Sequence, residues 1–336
     1  MKVNPDFCHD FIIENADLKD TFKKEKDFTC WKQQIKNSFM EVMKIADMNK
    51  NIVNNDIIVE YDKIENGYRV IRYILETEKE NYVPCHLLIP NTGKDKYQTV
   101  ITLTGHDNDH IYNANGIMKK PELYEYSPYG ELAIECVKKG YAVLCVEMRG
   151  MGELHRPSRE GRALVRCGFA SFQAMLLGRV LAGERAWDVT RAIDSLKNFP
   201  VVENDNVKII GHSSGAGNTA YYSACLDDRI KTIVSSSGVC TYKDGILNSF
   251  ECLCNYIPDV YNRFEMGDLA GLLTEKTLKI VAYTNDDKLP FNGVEKAFDR
   301  ILEIYTVSGN SDKCQLITIE GERKLDAKML ADLLEK

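Results

Sequence analysis

Long apolar runs are missing from this chain of 336 residues. None reaches the roughly 18 residues that a helix needs to cross a bilayer, so neither a membrane span nor a membrane partner is expected. The first twenty residues, MKVNPDFCHDFIIENADLKD, carry acids and lack a continuous apolar core, so no signal peptide is expected and a cytoplasmic location is. There is no stripe of Lys and Arg. A net charge of -7 and mixed runs such as Lys19 to Lys26 argue against a nucleic-acid partner, which rewards concentrated positive charge. Metal-ligand cysteine pairs are absent as well: Cys252 and Cys254 stand too close for an ordinary zinc pair and have no second pair at ligand spacing. No metal and no cofactor is therefore expected, and eleven cysteines without an export signal read as reduced thiols. Histidine is scarce. All six, His9, His86, His106, His110, His155 and His212, precede residue 213.

What is present is ordinary for a soluble globular protein, with 44% hydrophobic and 28% charged residues. The length fits one large α/β domain or two smaller ones. Residues 1–55 read as a helical extension. In TCWKQQIKNSFMEVMKIADM the apolar residues Trp31, Ile35, Phe39, Val42, Met43 and Ala46 recur at helical spacing, with Thr29 as the expected cap. That segment could cover a pocket mouth or form a dimer contact. From Asp56 the period changes, and residues 56–336 read as the main domain. Ile57 to Tyr61, Tyr68 to Glu76 and Val83 to Ile89 predict antiparallel strands at one edge of a sheet. Buried strands are then expected at Thr99 to Leu103, Tyr141 to Glu147, Val207 onward, Ile230 to Ser235, Leu278 to Thr284 and Gln315 to Ile319. Helices are expected between them: Tyr129 to Lys139, Ser171 to Asn198 with a break near Gly178 to Gly183, Phe291 to Val307, and Leu325 to Glu335. Strands alternating with helices imply an α/β fold with a mostly parallel sheet, helices on both faces and an antiparallel amino-terminal edge.

The stretch VKIIGHSSGAG, Val207 to Gly217, organises the rest. A buried strand runs into Gly211-His212-Ser213-Ser214-Gly215, and a small-residue helix start follows. This is the pattern of a nucleophile elbow, where a serine sits on a strained strand-to-helix turn and the flanking glycines remove side chains that would clash. Ser213 is the candidate nucleophile.

With these elements in order the chain resembles the α/β-hydrolase superfamily, and within it the bacterial acetyl-xylan-esterase-like and dienelactone-hydrolase-like branch. TGHD resembles that family's oxyanion loop, EMRGMGE its Arg-Gly-x-Gly loop, and LLGRVLAGERAWDVTRAIDSL the helix before the elbow. CLCNYIPDVY followed by MGDLAGLL resembles the segment leading to the acid loop. The resemblance implies an α/β-hydrolase fold and, as inherited chemistry, acyl transfer or hydrolysis of a small ester. It also implies that the backbone N–H groups of Ser214 and His106 are the oxyanion donors. Tyr283-Thr284-Asn285-Asp286-Asp287-Lys288-Leu289-Pro290 resembles the family's acid loop, in which an aspartate precedes a proline by four positions. Asp286 is then the triad acid, with Asp287 as fallback.

The family's base is a histidine after the last strand, and here that loop reads Glu320-Gly321-Glu322-Arg323-Lys324-Leu325. Arg323 stands at the histidine position. A guanidinium stays protonated and cannot act as a general base. Three other groups could supply one: His110 in the oxyanion loop, Lys324 if buried, and His212, which as a strand neighbour of Ser213 should face away from it. Without a base, ordinary esterase activity is expected to be weak or absent. Arg323 could instead pair with Asp286 and equip the pocket to hold an anionic small molecule or peptide. The alternative is a catalytically silent homologue that binds a ligand or partner.

Overall fold

The computed structural model describes residue 4 and residues 6–65, 67–105, 131–154, 167–249 and 251–335. Among these residues nine strands form one sheet in the order β1-β2-β3-β5-β4-β6-β7-β8-β9. They are β1 Ile57–Glu65, β2 Tyr68–Glu78, β3 Asn81–Pro90, β4 Thr99–Leu103, β5 Ala142–Val146, β6 Val207–His212, β7 Ile230–Ser236, β8 Thr277–Tyr283 and β9 Cys314–Ile319. β1, β2 and β3 pair antiparallel, and β3 joins β5 antiparallel. The other contacts, from β5 through β4, β6, β7 and β8 to β9, are parallel. This is the predicted mostly parallel sheet with an antiparallel amino-terminal edge.

Successive strand residues face opposite layers. Ile101, Leu144, Ile209 and Ile280 enter one apolar cluster, and their neighbours Val100, Val143, Ile210 and Val281 enter another. The second face is covered by α4 (Leu132–Lys138) and α9 (Ala327–Asp332), which also pack on each other. The first face is covered by α6 (Leu181–Ser195), α7 (Ser214–Leu226) and α8 (Phe291–Val307). The same cluster takes in Trp31, Ile35, Phe39 and Val42 of α2 (Phe28–Val42) and Ile45 and Met48 of α3 (Ile45–Asn49). The segment read as an amino-terminal extension thus shares its apolar contacts with the sheet. Before it lies α1 (Phe7–Glu14), none of whose residues is buried.

Several boundaries differ from those read in the sequence. The helix expected to be capped by Thr29 begins at Phe28, and the cap is Asp27, whose Oδ1 accepts from the Cys30 N–H at 2.8 Å. An aspartate outcompetes the later threonine because its carboxylate reaches a free first-turn N–H and favours the positive end of the helix. The expected break near Gly178 is real: α5 (Cys167–Leu176) ends before Gly178, which has φ of 74°, and α6 starts at Leu181. The last helix is shorter than expected, since Asp326 caps it and accepts from the Met329 N–H.

The Arg149 loop after β5 is a buried ionic hub. Arg149 Nε lies 2.7 Å from Asp188 and Nη2 2.7 Å from Glu78, while the carbonyl of Arg149 accepts from Arg185 at 2.7 Å. The hub joins the β2–β3 turn, the loop and α6. No helix among the described residues is long and apolar enough to cross a membrane.

Candidate active site

The carboxyl ends of β4, β6, β8 and β9 converge on one rim of the sheet, the edge where open α/β sheets place ligands. At its centre β6 ends at His212 and α7 begins at Ser214, with Ser213 between them at φ 79° and ψ 158°. A positive φ at a residue with a Cβ is strained, and the surroundings must hold it. Here the Ser213 N–H donates to the Ser236 carbonyl at 3.0 Å, and the Ser213 carbonyl accepts from the Gly217 N–H at 2.7 Å. Two glycines make room for the turn. A Cβ on Gly211 would stand 2.1 Å from the Ala216 carbonyl oxygen, and one on Gly105 would stand 2.7 Å from Ser213 Cβ. The loop after β4 therefore passes directly against the serine. Ser214 opens α7, where the first N–H groups have no intrahelical partner and point toward the rim.

Asp286 lies in the loop between β8 and α8. Its side chain is 2% exposed, while that of Asp287 is 72% exposed, so burial separates the two aspartates. Asp286 Oδ1 accepts from the N–H groups of Lys288 at 3.0 Å and Leu289 at 3.3 Å. Its Oδ2 is buried with no hydrogen-bond partner. Arg323, in the loop after β9, brings Nη1 to 3.6 Å from Asp286 Oδ1. That is an ion pair without a hydrogen bond, and Nη1 is itself buried and unpartnered. The two loops are fixed to each other by backbone: the Asn285 N–H donates to the Gly321 carbonyl, and the Gly321 N–H donates to Thr284 Oγ1, both at 3.0 Å.

Among the described residues no imidazole or lysine nitrogen is hydrogen-bonded to Ser213 Oγ. Lys324 is exposed; its carbonyl, not its amine, takes part in the rim, accepting from the Tyr283 hydroxyl at 2.6 Å. His212 turns toward β7 and β8. Its Nδ1 lies 2.9 Å from Ser236 Oγ, and its ring meets Tyr283 edge to face at 6.4 Å. Burial, with a smaller push from the Arg323 charge, drops its pKa to about 3, so the ring is neutral near pH 7. His106 and His110 lie outside the described residues.

This gives a sign for the pH dependence of stability. The folded pKa of His212 lies below the 6.5 of a free histidine, so between the two the unfolded chain binds the extra proton and acid favours unfolding. Denaturant melts are expected to show wild type losing stability as pH falls from 6.5 toward 4. The loss should be smaller in His212→Gln; an equal loss would mean the imidazole is not held neutral.

One group at the site gave no signal in the sequence. Glu251, 3% exposed, accepts from Ser214 Oγ at 2.9 Å, from the Cys252 N–H at 3.2 Å and from Asn255 Nδ2 at 3.3 Å. It braces the first residue of α7 with a buried carboxylate, and its Oε1 is unpartnered. Nothing in its spacing distinguishes it from a solvated acid.

Comparison with known proteins bears on the fold and on descent. The family model described as "Abhydrolase family" matches residues 14–320. The protein YtaP of Bacillus subtilis (strain 168), whose name marks it as a candidate hydrolase, is 28% identical over 246 residues, 71% of this chain and 77% of that one. A candidate acetyl xylan esterase from Bacteroides fragilis NCTC 9343 superposes with a TM-score of 0.79 at 15% identity, over 95% of this chain and 82% of that one. A glucuronoyl esterase from Solibacter usitatus superposes with a TM-score of 0.61 at 14% identity, over 96% of this chain and 98% of the other. At such identities the two structures speak for the fold. The family match, covering most of the sequence, speaks for descent: this chain belongs to the Abhydrolase family and has the α/β-hydrolase fold.

Proposed function

We propose that this chain is a serine-hydrolase-like protein with a diverged triad, acting on a small ester or peptide that carries an anionic group. Ser213 is the nucleophile, the Ser214 N–H an oxyanion donor, and Asp286 the retained acid. His106 would supply the second donor, and His110 would lie beside the substrate. Arg323 replaces the base and binds the ligand's anionic group. No metal and no cofactor takes part, and the protein works in the cytoplasm.

One observation carries this reading: Ser213 is held at φ 79° at the start of α7, on the same rim as an aspartate whose neighbour is a guanidinium. A turn strained by positive φ is kept where the position of the side chain matters. The buried Arg323 Nη1 has no hydrogen-bond partner and leaves one donor unused, from which a ligand carboxylate or phosphate would accept. Burying such a donor without a partner costs about 1–3 kcal/mol, which favours a ligand that satisfies it.

The second reading is a silent scaffold that binds a ligand without turning it over. It is favoured by the lack of a hydrogen-bonded base at Ser213 Oγ among the described residues. A fluorophosphonate probe separates the two, because it reacts only with an activated serine. Wild type is expected to label slowly and Ser213→Ala not at all, read by intact mass over hours. Complete failure of wild type to label would leave the scaffold reading standing.

A further inference from the structure

Three thiols from distant stretches meet beside the elbow. Cys167 is the first residue of α5, and Cys252 and Cys254 follow Glu251 in the segment after β7; their Sγ atoms all lie within 4.8 Å of one another. Cys167 Sγ is 2.7 Å from Cys252 Sγ, and Cys254 Sγ is 3.2 Å from Cys252 Sγ. Two kinds of chemistry suit such a cluster, metal binding and disulfide formation, and the spacing decides between them. With Zn–S bonds of about 2.3 Å, tetrahedral ligation sets sulfurs roughly 3.8 Å apart, wider than either short contact. A disulfide needs about 2.05 Å, a further closure of roughly 0.7 Å for the Cys167–Cys252 pair.

We propose that Cys167 and Cys252 are a thiol–disulfide site that small-molecule disulfides oxidise and small thiols reduce. Cys252 is the entry point, being partly exposed, whereas Cys167 and Cys254 are 0% and 2% exposed. Its thiolate attacks one sulfur of the reagent disulfide, forming a mixed disulfide and releasing one thiolate. Cys167 then attacks Cys252 Sγ, the S–S bond to the reagent breaks, and the second thiol leaves. Two protein thiols become one disulfide and one reagent disulfide becomes two thiols, so atoms and electrons balance. The buried Arg185 guanidinium lies beside Cys167 and Cys254, where its charge favours the thiolate needed in the second step. Cys254 plays another part: hydrogen bonds to the Cys167 and Cys252 sulfurs, together with burial, hold its thiol well above the usual range, so it keeps its proton. The cross-link would tie α5 to the segment whose Glu251 braces Ser214, joining two pieces of chain 85 residues apart.

The test uses the full-length wild-type protein incubated with oxidised glutathione, quenched with acid, unfolded and alkylated with iodoacetamide. The reduced protein takes eleven adducts. Beyond any adducts that the exposed Cys8 and Cys30 lose to glutathione, the oxidised protein is expected to take two fewer, with a tryptic peptide pair linking Cys167 to Cys252, and dithiothreitol should restore the full number. In Cys167→Ser the second step is lost and glutathione should remain on Cys252, a gain of one glutathionyl mass on the peptide that contains it. The proposal is overturned if all eleven thiols stay alkylatable, if another pair is linked, or if wild type stops at the mixed disulfide. It is also overturned if reduced wild type retains one equivalent of Zn²⁺ through gel filtration and Cys254→Ser does not, which would make the cluster a metal site.

Discussion

Arg323→His is expected to raise hydrolysis of a short-chain aryl ester roughly 100-fold or more over wild type, measured as kcat/KM at pH 8. The size follows from what a positioned base contributes, about 10²- to 10⁴-fold. An imidazole at residue 323 would stand beside the Asp286 carboxylate, whose Oδ2 is buried and has no hydrogen-bond partner, so that carboxylate can accept from its Nδ1–H. The gained rate should rise with pH through the ordinary histidine range near 6.5, since only the neutral ring accepts the serine proton. Arg323→Gln removes the charge without adding a base and is expected to show no such rise. Adding Ser213→Ala to Arg323→His should return the rate to background. A folded but inert Arg323→His would mean that Arg323 does not occupy the place of the family's base.

The largest effect on stability is expected at Trp31. Trp31→Ala should cost about 3–5 kcal/mol in a urea melt, the usual range for emptying a large aromatic site. Its ring is 1% exposed and its Nε1 donates to the Asp20 carbonyl at 2.8 Å. It packs against Phe22 with centroids 4.7 Å apart, and a Cβ on Gly271 would lie 2.7 Å from its Cη2. That leaves little slack for neighbours to collapse into the cavity. Because the α2 residues join the same apolar cluster as the sheet, fluorescence and far-ultraviolet circular dichroism should shift together in one transition. Two separate transitions would mark residues 1–55 as an independent unit.

What was legible in the sequence and what was not divide along sequence separation. The elbow could be read because its requirements are local: a buried strand, small residues at Gly211 and Gly215, and a helix start fall within a dozen positions. Strand alternation and helix–strand alternation carried the sheet for the same reason. For the candidate acid, the resemblance ranked Asp286 above Asp287 by its four-position spacing from a proline, and burial is what physically distinguishes the two neighbours. Glu251 was not legible, because its tie to Ser214 spans 37 residues and leaves no spacing signature. The same holds for Cys167, whose approach to Cys252 depends on how α5 lies against the segment after β7. Thr29 was read as the cap because the apolar stripe was counted from Trp31, which placed the helix start two residues too late.

The ionic hub at Arg149 constrains how this sequence can change. Glu78 and Asp188 are 4% and 1% exposed in their side chains; Glu78 keeps Arg179 at 2.6 Å, but losing Arg149 alone would strand the Asp188 charge out of reach of water. Replacing the cluster together by apolar residues of similar volume would avoid that penalty. Chains descended from this one should therefore keep Arg149, Glu78 and Asp188 as a set or exchange them as a set. Single losses should be rare, and a pairing of changes at residues 78, 149 and 188 should be visible among its relatives as covariation.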